Sequence, residues 1–199
     1  MRALASPPHA ILMCLNLQET HLNSAHPLFV PSADRVLTRA QRCLKWARGL
    51  GLRIVHVHTL RADDAAFRPS PPIPGFEPRA SEAVILKHAH SFFSSAEFAR
   101  LERAARDIIA LGFTTTQDCL AAAIDADRVG ARLAFVSDAI ASTAMAPFGA
   151  EIVDAIALGV LAQFAGQVSS EELIARTGGE PTWKMARSLV VDTSEAGRA

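Results

Sequence analysis

The stretch GFTTTQDCLAAAIDA (residues 112–126) leaves an apolar run, passes through consecutive threonines and enters an alanine-rich segment. It reads as the end of a strand, a tight loop, and a helix with Asp118 and Cys119 in its first turn and Gly130 as its stop. A strand feeding a helix in this way is the unit from which parallel sheets are built.

Working outward, the same alternation recurs. Upstream, DIIALG (107–112), AVILK (83–87), LRIVHVH (52–58) and AILMCLN (10–16) are apolar runs of strand length. Downstream, ARLAFVSDA (131–139) is another. Between Ser32 and Leu50 the residues Val36, Leu37, Ala40, Cys43, Leu44 and Ala47 recur at helical spacing, with Ser32 as N-cap and Gly49 and Gly51 as stops. SSAEFARLERAA (94–105) is also helical. From Glu151, the residues Ile152, Val153, Ile156, Val160, Leu161 and Phe164 predict a long helix with a core-facing stripe. RPSPPIPGFEPR (68–79) holds too many prolines for a central strand and reads as a surface loop, placed to fold over a pocket. The expectation is a three-layer α/β/α, Rossmann-like domain with a parallel sheet of about six strands.

Length and charge bound the function. The chain has 199 residues, half of them apolar, which suits one domain with a sizeable core. Twenty basic and twenty acidic residues cancel and are dispersed, so there is no footprint for nucleic acid or a membrane surface, and a small-molecule partner is expected. Cys14, Cys43 and Cys119 are an odd set without metal-type spacing, which favours free thiols in a cytoplasmic setting. The run Ala10 to Leu15 is too short for a signal or membrane segment. The tail from about residue 177 is polar and aperiodic, so 1–176 is read as the domain and 177–199 as an extension, disordered or interface-forming.

Parallel sheets of this type bind ligands beyond the carboxyl ends of their strands. Those ends are Asn16-Leu17-Gln18, Lys87, and Phe113 to Asp118. Here the chain resembles the isochorismatase-like cysteine hydrolases, which include nicotinamidases and N-carbamoylsarcosine amidohydrolases. The family pattern is Asp-x-Gln after the first strand, a Lys with Ser-x-Phe beyond it, and Gly-x-x-Thr-x-x-Cys, followed by Asp-Ala and then Gly. This chain has NLQ (16–18), KHAHSFF (87–93) and GFTTTQD (112–118), with Asp125, Ala126 and Gly130. The resemblance spans about residues 9 to 176.

The resemblance implies a catalytic trio of Asp, Lys and Cys. Counting forward from Gly112 and backward from Asp125, Ala126 and Gly130 puts Asp118 at the nucleophile position. Cys119 falls one residue later, a helical rotation of about 100°, and is expected to face the core. Asn16 stands at the position of the acid and cannot act as a base. Asn16, Lys87 and Asp118 are therefore the candidate site, and by the same resemblance Gln18, Phe93, Phe113 and Thr114 contact the ligand. With neither thiol nor base in place, the family's covalent mechanism is expected to be absent. The plainer alternatives are that Asp118 caps its helix, with Thr115 three residues before it, and that Lys87 is a solvated strand-end lysine.

The pairs His56/His58 and His88/His90 would each share a strand face, but the match to the nicotinamidase metal ligands is poor, so half-buried or loop histidines are expected, with no metal and no cofactor. Three functional readings remain: a family member that binds without turnover, a hydrolase using Asp118 with Lys87, and an oligomeric scaffold. Family resemblance and the apolar helix 151–165 also point to a homo-oligomer.

Overall fold

A computed structural model describes residues 10–60, 69–102 and 107–175. The sheet has six parallel strands in the order β3-β2-β1-β4-β5-β6. They are β1 (Ala10–Leu15), β2 (Arg53–Thr59), β3 (Ala83–Lys87), β4 (Asp107–Phe113), β5 (Arg132–Ala141) and β6 (Gly166–Val168). The helices are α1 (Ala33–Gly49), α2 (Ala96–Glu102), α3 (Leu120–Val129), α4 (Ala150–Leu161) and α5 (Ser170–Ala175). This is the three-layer arrangement the alternation of strand and helix signals predicts.

Strand β1 is buried on both faces, which is why its sequence is a continuous apolar run. Leu12 and Cys14 join the core under α1 and α5, whereas Ile11, Met13 and Leu15 join the core under α2, α3 and α4. The chain steps from β1 through β2 to β3 on one side and then crosses to β4 on the other. The switch point therefore lies between the ends of β1 and β4, where open α/β sheets hold ligands. Close pairing there depends on Gly112, whose φ is +115° and where an added Cβ would lie 2.0 Å from the Leu15 carbonyl oxygen.

Several local expectations are corrected. Ser32 precedes α1 but makes no side-chain cap, its hydroxyl reaching Asp154 instead. The α-helix after β4 begins at Leu120, because Thr115–Cys119 form a wider π-type turn first. On α4 the inward residues are Ala150, Val153, Asp154, Ala157 and Leu161, whereas Ile152 and Ile156 are 52% and 59% exposed. Apolar residues run around much of α4, so periodicity alone could not select the inward face. His88 and His90 lie in the bend after β3 and are exposed, so they share no strand face. The loop residues Ile73 and Phe76 are buried against the α1-side core, which anchors the proline-rich segment. Residues 61–68 and the tail from 176 onward, including the 177–199 extension, lie outside the described residues. Among the described residues, no helix is long and apolar enough to cross a membrane.

Candidate active site

Four strand ends and one turn bring the site together. Asn16 follows β1 with a φ of 49°, a left-handed conformation that asparagine tolerates better than most residues. Its Nδ2 donates to the Phe113 carbonyl at 2.8 Å, bridging the switch point from β1 to β4. Its Oδ1 accepts from the Thr59 hydroxyl at the end of β2, also at 2.8 Å. Lys87, at the end of β3, donates to Thr59 Oγ1 at 2.8 Å, to the Ala89 carbonyl at 3.1 Å, and to Asp118 Oδ1. Thr114 Oγ1 then donates to Asp118 Oδ2 at 3.0 Å.

These bonds form a circuit. It runs from Phe113 through Asn16, Thr59, Lys87 and Asp118 to Thr114, the residue next to Phe113. All three ammonium hydrogens of Lys87 have acceptors, which is what lets a lysine be 3% exposed. The Asp118 carboxylate accepts from the Lys87 and Thr114 side chains rather than capping its own turn. Exposed His90 approaches the same oxygen at 3.9 Å.

Asn16, Lys87 and Asp118 thus converge, and Phe113 and Thr114 belong to the same circuit. Gln18 hydrogen-bonds backbone groups of β2 and the proline-rich loop. Its Oε1 accepts the Thr59 N–H at 2.9 Å and its Nε2 donates to the Ser70 carbonyl at 3.1 Å, tying the proline-rich loop to β2. Phe93 stacks on Phe92 and meets Phe98 edge-on. Cys119 lies fully buried in the core under α2, α3 and α4, and burial pushes its thiol well up, as does the neighbouring Asp118 charge.

Two residues at the site had no sequence signal. Thr59 is a strand-end threonine whose central place in the circuit depends on strand pairing. His21, in the turn Glu19–Leu22, is 3% exposed and packs its ring 5.3 Å from that of Phe113. Its Nδ1 lies 2.9 Å from the Leu28 carbonyl, which can only accept, so Nδ1 carries the proton and Nε2 the lone pair. Burial lowers the imidazole pKa, while the charges of Asp118 and Lys87 act on it with opposite sign.

A separate ionic cluster sits beneath the loop. Glu82 bridges Arg48 at 2.7 Å and buried His56 at 2.8 Å. The Arg48 hydrogen bonds hold the Glu82 carboxyl at about 2. His58, on the same strand, is lowered to about 4, first by burial and then by His56. Among the described residues, no group of three or more His, Cys, Asp or Glu side chains is placed to hold a metal ion.

Comparison with solved structures places the fold. An isochorismatase from Pseudomonas putida KT2440 superposes with a TM-score of 0.74 at 27% identity, covering 86% of this chain and 93% of that one. A cysteine hydrolase from Pseudomonas syringae pv. phaseolicola shares the fold with a TM-score of 0.75 at 18% identity, covering 88% and 95%. N-carbamoylsarcosine amidase from Thermoplasma acidophilum does so with a TM-score of 0.64 at 20% identity, covering 82% and 98%. A search of the curated proteins by sequence matches none. Residues 10–171 match the isochorismatase domain model, and the chain belongs to the isochorismatase family.

Proposed function

We propose that this chain binds a small molecule at the ends of β1, β3 and β4 without the covalent cysteine chemistry of the Asp-Lys-Cys trio. The observation that carries this reading is the closed circuit. A cysteine hydrolase needs a carboxylate to take the thiol proton and a thiol facing the substrate. Asn16 has no proton-accepting carboxylate, and its amide is committed to the Phe113 carbonyl. By the motif register Asp118 takes the place of the thiol, and Lys87 and Thr114 hold its carboxylate. The test is a panel of isochorismate, nicotinamide and simple amides, scored for turnover and for thermal stabilisation. Stabilisation by a panel member without turnover is the expected result. Turnover that disappears in Asp118→Asn, with the fold retained, would refute it.

A second reading has its own support. The site keeps one carboxylate and one lysine, as in the trio with a neutral thiol, but the carboxylate is carried by the turn after β4 and not by the end of β1. A hydrolase acting on a vinyl ether or amide through Asp118 and Lys87 would use that relocated acid. The same panel separates the two readings.

We also propose self-association through α4. Asp154 turns inward, which leaves Glu151 as the sole charge on the outer face of the helix beside exposed Ile152 and Ile156. Next to them a groove of about 290 Å³ runs between Thr116, Met145, Phe148 and Val160. A second copy of the chain would cover both, pairing like apolar surfaces about a two-fold axis.

A further inference from the structure

Helix α4 sends one carboxylate inward, and that carboxylate is wired to the turn bearing Asp118. Asp154 is 7% exposed. Its Oδ1 accepts the Ser142 backbone N–H at 2.7 Å and its Oδ2 accepts the Ser32 hydroxyl at 3.4 Å. Ser142, fully buried just past β5, carries the constraint onward. Its Oγ accepts the Thr116 N–H at 3.2 Å and shares a 2.6 Å hydroxyl contact with Thr116 Oγ1. Thr116 and Asp118 belong to the same π-type turn. The Thr116 amide is one of the unpaired donors that every helix start leaves, and Ser142 satisfies it from outside the helix.

We propose that Asp154 is a positioning residue that acts through Ser142 and Thr116 to fix the turn presenting the Asp118 carboxylate to Lys87. This rests on the reading of Lys87 and Asp118 as the ligand-contacting pair. Without Asp154, the Ser142 amide is left buried and unpaired, so the segment after β5 must shift, and the turn hydrogen-bonded to it shifts too. Lys87 then loses its carboxylate partner for part of the time, while the strands carrying it stay intact. Burial raises the Asp154 carboxyl above the ordinary range, against the hydrogen bonds from Ser142 and Ser32.

The test needs neither ligand nor turnover, so its outcome is separate from that of the binding reading. Native full-length protein is treated with a trace of acetic anhydride and acetylation is followed by mass spectrometry. Exposed Lys45 serves as the reference, and alkylation of buried Cys14 reports opening of the whole fold. Asp154→Ala should raise Lys87 labelling about fivefold relative to Lys45 with Cys14 still protected, the size expected for one buried hydrogen bond. Ser142→Ala, which leaves the Asp154 to Ser32 contact in place, should do the same. Asp154→Asn keeps an acceptor for the Ser142 amide and should stay close to the parent. Unchanged Lys87 labelling in folded Asp154→Ala and Ser142→Ala overturns the proposal, as does a rise in which Cys14 follows Lys87. If Asp154→Ala does not fold, Ser142→Ala decides alone.

Discussion

Lys87 and Asp118 form a buried ion pair across thirty-one residues of sequence, one at the end of β3 and the other in the turn after β4. Their side chains are only 2% and 8% exposed, so neither charge can turn to water when the other is removed. Asp118→Ala should therefore destabilise the fold by about 3–5 kcal/mol, through the uncompensated ammonium it leaves behind. The double change Lys87→Met with Asp118→Leu should cost less than either single truncation. Urea unfolding of the parent, Lys87→Met, Asp118→Leu and the double variant measures this, and additive costs would show that the pair is not coupled.

The thiols give a second test. Burial pushes the Cys43 thiol up to about 12 and drives those of Cys14 and Cys119 upward as well. Native protein at mildly alkaline pH should resist iodoacetamide at all three positions, and ligand binding should be unaffected. Fast alkylation of Cys119 that a ligand blocks would mean that Cys119, not Asp118, faces the site.

Acid should weaken the fold in two overlapping windows. His58 has a folded pKa of about 4 against an ordinary 6.5, so the unfolded chain takes up its proton first. Its stabilising contribution is complete above 6.5 and is lost as pH falls toward about 4. Glu82 is held at about 2 against 4.5, so its contribution goes between 4.5 and about 2. Urea midpoints should fall through both windows, and His58→Phe should flatten the upper one. An unchanged slope between 6.5 and 4 in that variant would remove His58 from the account.

Self-association has a direct reading in light scattering. At micromolar concentration the parent should be a dimer or larger, and Ile156→Glu, a change at a 59% exposed position, should release the monomer without loss of thermal stability. A monomeric parent would refute the proposal.

The strand runs were legible because a sheet covered on both faces demands unbroken apolar segments, and Ala10–Leu15, buried throughout, lies within the run AILMCLN. The spacing from Gly112 to Gly130 was legible because Gly112 must sit against the Leu15 carbonyl and Gly130 must adopt φ 69° at the end of α3. Other features leave no periodic trace. The π-type turn at Thr115–Cys119 depends on backbone bonding that residue types do not announce. The inward face of α4 is set by small residues and Asp154 rather than by its isoleucines. Thr59 and His21 reach the circuit through strand pairing and loop packing, which bring together residues far apart in sequence.

The most informative experiment rebuilds the family's standard trio. Asn16→Asp alone should be harmful, because a carboxylate would face the Phe113 carbonyl without a hydrogen to donate and would add a second carboxylate to the circuit that already holds Asp118. A cost of about 1–3 kcal/mol is expected from the lost donor. Adding Asp118→Cys restores the original count of one carboxylate and one ammonium, so the double variant should cost less than the sum of its two single changes. It also sets a base and a thiol on either side of Lys87, at the start of a helix that favours a thiolate. Amide or ester cleavage by the double variant, with none in the parent, would support a scaffold that remains competent but lacks the two reacting groups. Cleavage by the parent that vanishes in Asp118→Asn would instead establish an enzyme whose working carboxylate is carried by the turn after β4 and not by the end of β1.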